Sequence, residues 1–599
     1  AYEIAQCLVG SEMGIRDSNC TENSIMTEDA DNEMQRPLEA DERGQDTVPG
    51  RSSISSHQFH IPDNIRHIGH QIAQEIYYDD DNTEEVQHFQ YKSNFEHKFS
   101  VGSIVGLGFS LMNVPFGVAS TLSIGLVCGS NVTILYGWIL FGFFSIMISL
   151  SLSEIASKFP TSGGVYHFSC ILSNEKYSLM TSWFDGWYLV VGNLLMFVSY
   201  SFGGAQFILS IFGLTQSDYK EDSLFIMIVF VLIIVISVFI NLRFQSILEK
   251  INEVCIYWTF YTVLIADILI LLFSSEFHSF RYIFTHFDSS RSGWPDFVAF
   301  IIGGIQFSSM TFNGYGAIVA MSEEVKKPEK TIPKGLTYSI FASIFTGLVF
   351  IIPLLSVLPE LNRLLDDNPD IFPIDIVLKL STKSFTVSLV ISLMIVGAIF
   401  FATVGALTTV SRTIYSLSRD KGLPYSDLFQ QLDITSENEH VPRNAILLVA
   451  VTSVVLGTFS LISTSAFNAF LGCSVMAMNV ANGIPIICSI MNKRRKVRGS
   501  TFKLRKFGYI VNILSVFMIV LTCIILCFPP SINISIQSMN YSIVAFVIFT
   551  ISIWLGYIFW GRENFVGPLL TVSSVGTMES QLSVLSEQIK SEDLQSLAP

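Results

Sequence analysis

From residue 99 onward the chain alternates between long apolar stretches and short polar ones, and the apolar stretches lack the period-two alternation of a half-buried strand. A hydrocarbon core about 30 Å thick takes about 20 residues of helix to cross. Twelve segments meet that measure: 99–128, 132–158, 178–212, 223–242, 251–274, 293–321, 335–358, 384–412, 443–463, 466–491, 507–529 and 537–560. A membrane barrel would instead show segments of about 10 residues with alternating polarity. The pattern predicts an all-α polytopic membrane protein with 12 transmembrane helices.

Composition agrees. Half of the 599 residues are hydrophobic, 49 are Phe and only 14% are charged, with a mean hydropathy of +0.50; a soluble chain is excluded. The net charge of −15 sits in the tails, since residues 1–98 carry 20 acidic against 7 basic residues. That N-terminal tail, which includes YYDDDNTEEVQ, is expected to be disordered, acidic and cytoplasmic. Its His57, His60, His67 and His70 have no accompanying Cys and match no zinc spacing, so no metal site is expected. Nine cysteines form no CxxC pair, and most of them, such as Cys170, Cys255, Cys488, Cys523 and Cys527, lie in or beside apolar spans, so no disulfide framework is expected. The chain begins at Ala1 with no charged start followed by an apolar core, so no signal peptide is expected.

Loop charge sets an orientation. With both termini cytoplasmic, the inner loops hold about 20 Lys and Arg and the outer loops about 6. The largest contributor is NKRRKVRGSTFKLRK, residues 492–506, which reads as a topogenic anchor with a second reading as a lipid headgroup site.

Two spans carry glycine where a helix least tolerates it. VGSIVGLGFS (101–110) opens the first, and IIGGIQFSSMTFNGYGAIV (301–319) fills the sixth, five spans later and in the opposite direction. Close helix packing explains such glycines singly. Their recurrence at matching places in two halves points to an inverted repeat with broken helices, whose exposed backbone groups are tolerated only around a polar substrate, an ion or water. The repeats are expected at 99–274 and 293–491, followed by two further helices in 507–560 and a cytoplasmic tail at 561–599.

Three loop segments are more specific: SLSEIASKFPTSGGVYHF after span two, MSEEVKKPEKTIPKG after span six and VSRTIYSLSRDKGLP at the end of span eight. Together they resemble signatures of the amino acid, polyamine and organocation superfamily, and within it the fungal amino acid and choline transporter group. The resemblance implies a leucine-transporter-like fold, with a 5+5 inverted repeat plus two helices and alternating access. It implies secondary active transport of small amine-containing organic cations, polyamines such as putrescine and spermidine first, coupled to protons. Amino acids, GABA or choline are the alternative cargo, and a non-transporting nutrient sensor is the alternative class.

Carried over position by position, the resemblance places substrate contacts at Gly106, Leu107, Gly108, Phe109 and Ser110 in a first unwound segment. The second comprises Met310, Thr311, Phe312, Asn313, Gly314 and Tyr315. Phe109, Phe312 and Tyr315 offer ring faces to an amine, worth up to about 2 kcal/mol when desolvated, or else pack ordinarily. Several members carry an acidic residue where this chain has Gly316. Candidate carboxylates for a cation or for proton coupling are Glu154, Asp185 and Asp267, since ionisable groups inside spans are costly and commonly functional; Glu154 reads equally as a structural hydrogen bond, and Asp185, between Trp183 and Trp187, as part of an interfacial belt. Some relatives couple through a Lys in span five, which this chain lacks after Lys250. Glu323, Glu324, Lys326, Lys327, Lys330 and Lys334 are candidates for an inner gate paired with Arg412, Arg419 or Asp420, against a reading as solvated charge.

No nucleotide-binding glycine loop, HExxH helix or G-x-S-x-G elbow is found, so no enzyme, no catalytic residue and no cofactor is expected. The expected partners are the amine substrate, protons and the lipid bilayer, with no nucleic acid. Ubiquitin or trafficking machinery acting on the tails would be limited to Lys92, Lys98 and Lys590. A Golgi or other secretory-pathway membrane and the plasma membrane are the expected locations.

Overall fold

The computed structural model describes residues 100–568 apart from 162, 215–221, 275, 366–370, 436–438, 460–464 and 534–538. The expectations for residues 1–98, including those for His57, His60, His67 and His70, and for 569–599 lie outside the described residues.

The first apolar run forms two helices, α1 (Val101–Met112) and α2 (Val114–Val127). Then follow α3 (Ser130–Lys158), α4 (Val165–Leu172), α5 (Ser178–Gly213), α6 (Ser223–Arg243) and α7 (Gln245–Phe273). The sixth run is α8 (Asp296–Ser309) and a 3-10 helix at Tyr315–Glu324. After it come α9 (Pro328–Ser356), a loop helix α10 (Pro373–Thr382), α11 (Phe385–Arg419), α12 (Arg443–Thr458) and α13 (Ser465–Met491). The last two spans are α14 (Gly508–Ile525) and α15 (Ser542–Gly556). A two-stranded hairpin, Asp433–Thr435 with Glu439–Val441, is the strand structure among the described residues.

Ten of these segments are long and apolar enough to cross a membrane, and α8 and α12 are shorter apolar helices. The sixth expected span is short because its helix stops at Ser309. The ninth is described as helix only to Thr458. Local chemistry sets the ends: Ser100 caps α1 by accepting the Ser103 N–H at 3.2 Å. Pro328 begins α9 at a position whose N–H has no helical acceptor.

The two broken runs sit at the centre of the packing. α1 packs on α7, α9 and α11, α2 and α3 pack on α8, and α5 packs on α11 and α13. Polar and small side chains hold these spans together, as packing within lipid requires. One example is Gly137 of α3 facing Gly304 of α8, where a Cβ on Gly304 would lie 3.0 Å from the Gly137 Cα. One face of the bundle carries the ends of α3, α11 and α13 with loop 492–506 and is called the basic face. The opposite one, which carries α10, is the distal face.

Candidate functional site

The first break is not where the glycines are. Gly106, Leu107, Gly108, Phe109 and Ser110 are buried in continuous helix, which corrects the expected unwound segment. The reason is steric. A Cβ on Gly106 would collide with the Asn252 carbonyl oxygen of α7, and one on Gly108 would lie 2.5 Å from Ile318 Cδ1 of the 3-10 helix. These glycines let helices approach closely.

The chain breaks instead at Asn113, which takes a left-handed conformation (φ 36, ψ 63) between α1 and α2. Asparagine is among the few residues that tolerate it. Two residues on, Pro115 has no N–H to give to the Leu111 carbonyl. Tyr200 on α5 fills that role, its hydroxyl donating to Leu111 O. The Asn113 N–H still reaches Phe109 O at 3.1 Å and the Gly117 N–H reaches Asn113 O at 2.8 Å, so the break is confined to one residue.

The second break spans Thr311–Gly314. Thr311 and Phe312 turn their N–H groups to Ser308 O at 3.1 and 3.0 Å, and Gly314 (φ 82) supplies the left-handed step into the 3-10 helix. The breaks touch: a Cβ on Gly117 would collide with Thr311 Oγ1, and one on Gly314 would lie 3.2 Å from both Leu111 Cβ and Met196 Sδ.

Around this junction, buried polar atoms have no hydrogen-bond partner among the described residues. They are both amide atoms of Asn113, the hydroxyls of Ser308, Ser309 and Thr311, and Asn482 Oδ1 on α13. Native interiors leave few such atoms, and a cluster of them marks where another polar group is accommodated. The Asn482 oxygen occupies the space that a side chain at Gly316 would take. The ring of Phe312 stacks obliquely on Trp138, centroids 4.6 Å apart, with Phe141 at 6.1 Å. Phe312 therefore belongs to an aromatic cluster with α3. Tyr315 and Phe109 are buried.

The three acidic residues singled out in the sequence do not gather here. Glu154 is paired with Arg494 and accepts the Leu504 N–H at 2.9 Å, both from loop 492–506. These two contacts tie the end of α3 to that loop. Asp185 accepts from Ser169 Oγ on α4, also near the basic face. Asp267 is buried with an unpartnered Oδ1, on α7 roughly 22 Å along the axis from Asn252 at 1.5 Å per residue.

At the basic-face end of the second broken run, Arg412 Nε of α11 meets Glu324 Oε1 at 2.6 Å with both side chains buried. The side chain of Glu323 lies outside those described. Arg419 is half-buried. Asp420 accepts from His167 Nε2 at 2.8 Å and Tyr166 Oη at 2.9 Å, while His167 Nδ1 lies 2.5 Å from Thr161 Oγ1. Burial works against the Asp420 charge, but His167, Arg419 and the Tyr166 hydroxyl hold its carboxyl below the usual range. Each loop signature is thus tied to another: the 160–168 segment to Asp420, and the 321–335 segment to Arg412.

Sequence reasoning missed Asn113, Tyr200 and Asn482. An Asn two residues before a Pro inside an apolar run was the signal for the first. No local signal announces the other two.

Paired breaks at mid-span, with unpartnered buried polar atoms around them, in a bundle of apolar helices long enough to cross a membrane, are the architecture of a membrane carrier. The family pattern described as amino acid permease matches residues 99–550. The chain belongs to that family, and its helices have the leucine-transporter-like arrangement the family implies. It is 37% identical to the polyamine transporter TPO5 of Saccharomyces cerevisiae over 82% of this chain and 81% of that one. It is 30% identical to the amino-acid permease BAT1 of Arabidopsis thaliana over 81% and 95%, and 27% identical to the choline transporter of Saccharomyces cerevisiae over 78% and 82%.

Proposed function

We propose that this permease moves small amine-containing organic cations, polyamines such as putrescine and spermidine first, by proton-coupled alternating access. The observation that carries the reading is the cluster of unpartnered buried oxygens at the two breaks, in a chain 37% identical to a polyamine transporter. Amide and hydroxyl oxygens at Asn113, Ser308, Ser309, Thr311 and Asn482 are acceptors for ammonium protons. Ser110, Met310, Phe312, Asn313, Gly314 and Tyr315 complete the contact set, while Gly106, Leu107, Gly108 and Phe109 support it from behind. Spans one to five and six to ten form the two inverted repeats. Asp267, unpaired and buried, carries the proton or draws the distal amine, and Glu324 with Arg412 closes the inner gate.

A second reading, an amino acid, GABA or choline permease, is favoured by one feature. The N-terminus of α2 opens at the break, and the partial positive charge of a helix start suits a carboxylate. Both termini are placed in the cytoplasm, and the membrane is Golgi, another secretory compartment or the plasma membrane.

The test is uptake of labelled putrescine and spermidine into proteoliposomes under a pH gradient, with choline, GABA and arginine as competitors. Saturable, gradient-dependent polyamine flux supports the first reading. Flux of the competitors alone supports the second, and binding without flux would leave a sensor.

A further inference from the structure

The loop helix α10 is fastened to the bundle by a carboxylate that no reading of the sequence singled out. Asp375 is fully buried. Its Oδ2 accepts from Ser210 Oγ at the end of α5 at 2.7 Å, and its Oδ1 accepts from Ser392 Oγ on α11 at 2.6 Å. Ser210 Oγ in turn accepts the Phe372 N–H at 3.1 Å, and Lys379 Nζ donates to Leu214 O at 2.6 Å. One acidic side chain therefore joins three elements. Beneath them, Phe372 packs on Phe207, centroids 5.3 Å apart, and Phe207 meets Phe116 of α2 edge-on at 6.2 Å. α10 also packs directly on α2, α7 and α11, so it covers the distal half of the broken first span.

We infer that Asp375 is the fastening of this cover, or lid, and that the lid closes with uptake of one proton by that group. The inference rests on the alternating-access reading above but on no choice of substrate. Burial pushes the Asp375 carboxyl up to about 6, with the Ser210 and Ser392 hydroxyls pulling the other way. An open lid hydrates the group and returns it to about 3.9. The group is thus raised in the closed state, so closure is favoured at low pH and loses that support as the pH rises through about 6. Above that pH the closed lid must hold a buried anion on two hydroxyls alone.

The charged groups on the packed elements leave Asp375 as the fastening. α2 carries none, and those of α5 and α11 lie toward the basic face. α7 contributes Asp267 at its distal end, and α10 itself has Lys379, already bound to Leu214 O. Arg363, on the short helix Leu361–Leu365 packed against α10, has a side chain outside those described.

The experiment reads lid opening without reading transport. Val377, fully buried on α10, is replaced in the full-length protein in nanodiscs (Val377→Cys), and its modification by a water-soluble thiol reagent is timed from pH 5 to 8. Rates are normalised to an exposed Lys383→Cys control and to the parent protein's own thiols. The expected rate rises about tenfold across that range, with a midpoint near 6. Asp375→Asn, a permanently neutral mimic, flattens the profile at the low-pH rate. Ser392→Ala removes a bond that favours the carboxylate and moves the midpoint to higher pH. Should Val377→Cys not fold, Ile374→Cys, equally buried, serves instead. An unchanged profile in Asp375→Asn, or a midpoint lowered by Ser392→Ala, overturns the inference. Absent polyamine flux with an intact profile would count against the substrate reading alone.

Discussion

Glu324 and Arg412 meet at 2.6 Å with both side chains buried, and they join the short 3-10 helix after the second break to the long span α11. The Glu324 carboxylate has no other charge as close among the described residues, so its partner decides whether the 3-10 helix stays docked.

Removing Arg412 leaves the buried Glu324 carboxylate without its partner, a loss of about 3 to 5 kcal/mol. Glu324→Gln and Arg412→Gln are each expected to lower the unfolding temperature and to abolish substrate uptake. The exchanged pair, Glu324→Arg with Arg412→Glu, is expected to recover part of both. No recovery in the double variant would separate the two residues energetically.

Tyr200 covers the carbonyl that Pro115 leaves without a donor. Tyr200→Phe strands that buried oxygen at a cost of about 1 to 3 kcal/mol, read as a fall in thermal stability. Pro115→Ala supplies the missing N–H and is expected to straighten α1 into α2. The combination Pro115→Ala with Tyr200→Phe should then be more stable than Tyr200→Phe alone, yet transport poorly.

Gly106 is a packing residue here, not a hinge. Gly106→Ala forces the added methyl into the Asn252 carbonyl, and overpacking of this kind costs about 1 to 3 kcal/mol. Gly314→Ala is strained by its positive φ, roughly 1 to 2 kcal/mol. The expected signature is that Gly106→Ala lowers stability with KM unchanged, whereas Gly314→Ala alters KM.

The Asp420 carboxyl is held below its ordinary value by His167, Arg419 and Tyr166 against the effect of burial. A depressed carboxylate contributes stability above its unfolded value, about 3.9, and loses it as the pH falls through its folded one. Asp420→Asn should therefore be less stable than the parent throughout pH 5 to 8, with the difference closing only below about 4. Thermal unfolding across that range checks it.

Asn482 fills the place that a side chain at position 316 would occupy. Asn482→Asp puts a carboxylate beside the breaks, and it is expected to lower the apparent KM for putrescine while raising it for GABA. Competition uptake reads both.

The spans were legible because burial in lipid on most sides demands long apolar runs, and the second break was legible because the sixth span repeats the glycines of the first and the family resemblance places an unwound segment there. The first break was misplaced for a physical reason: a glycine in a membrane helix serves close approach as readily as unwinding, and only the neighbours Asn252 and Ile318, distant in sequence, tell the two apart. The same distance hid the pairings of Asn482 with Gly316 and of Asp375 with Ser210 and Ser392. Charged residues were legible as types but not as partnerships, so Glu154 reads in sequence as a candidate for proton handling and in the fold as an ion pair.

The clasp between Glu154 and loop 492–506 also sets an order of events in biosynthesis. Glu154 leaves the ribosome 340 residues ahead of Arg494, and at 5 to 20 residues per second the interval is about 20 to 70 s. Throughout it the second span waits at the membrane with an unmatched carboxylate, while the spans between are made and inserted. The bundle can lock at its basic face only once that loop has emerged, so a chain halted before residue 494 lacks the ion pair that ties α3 to the loop.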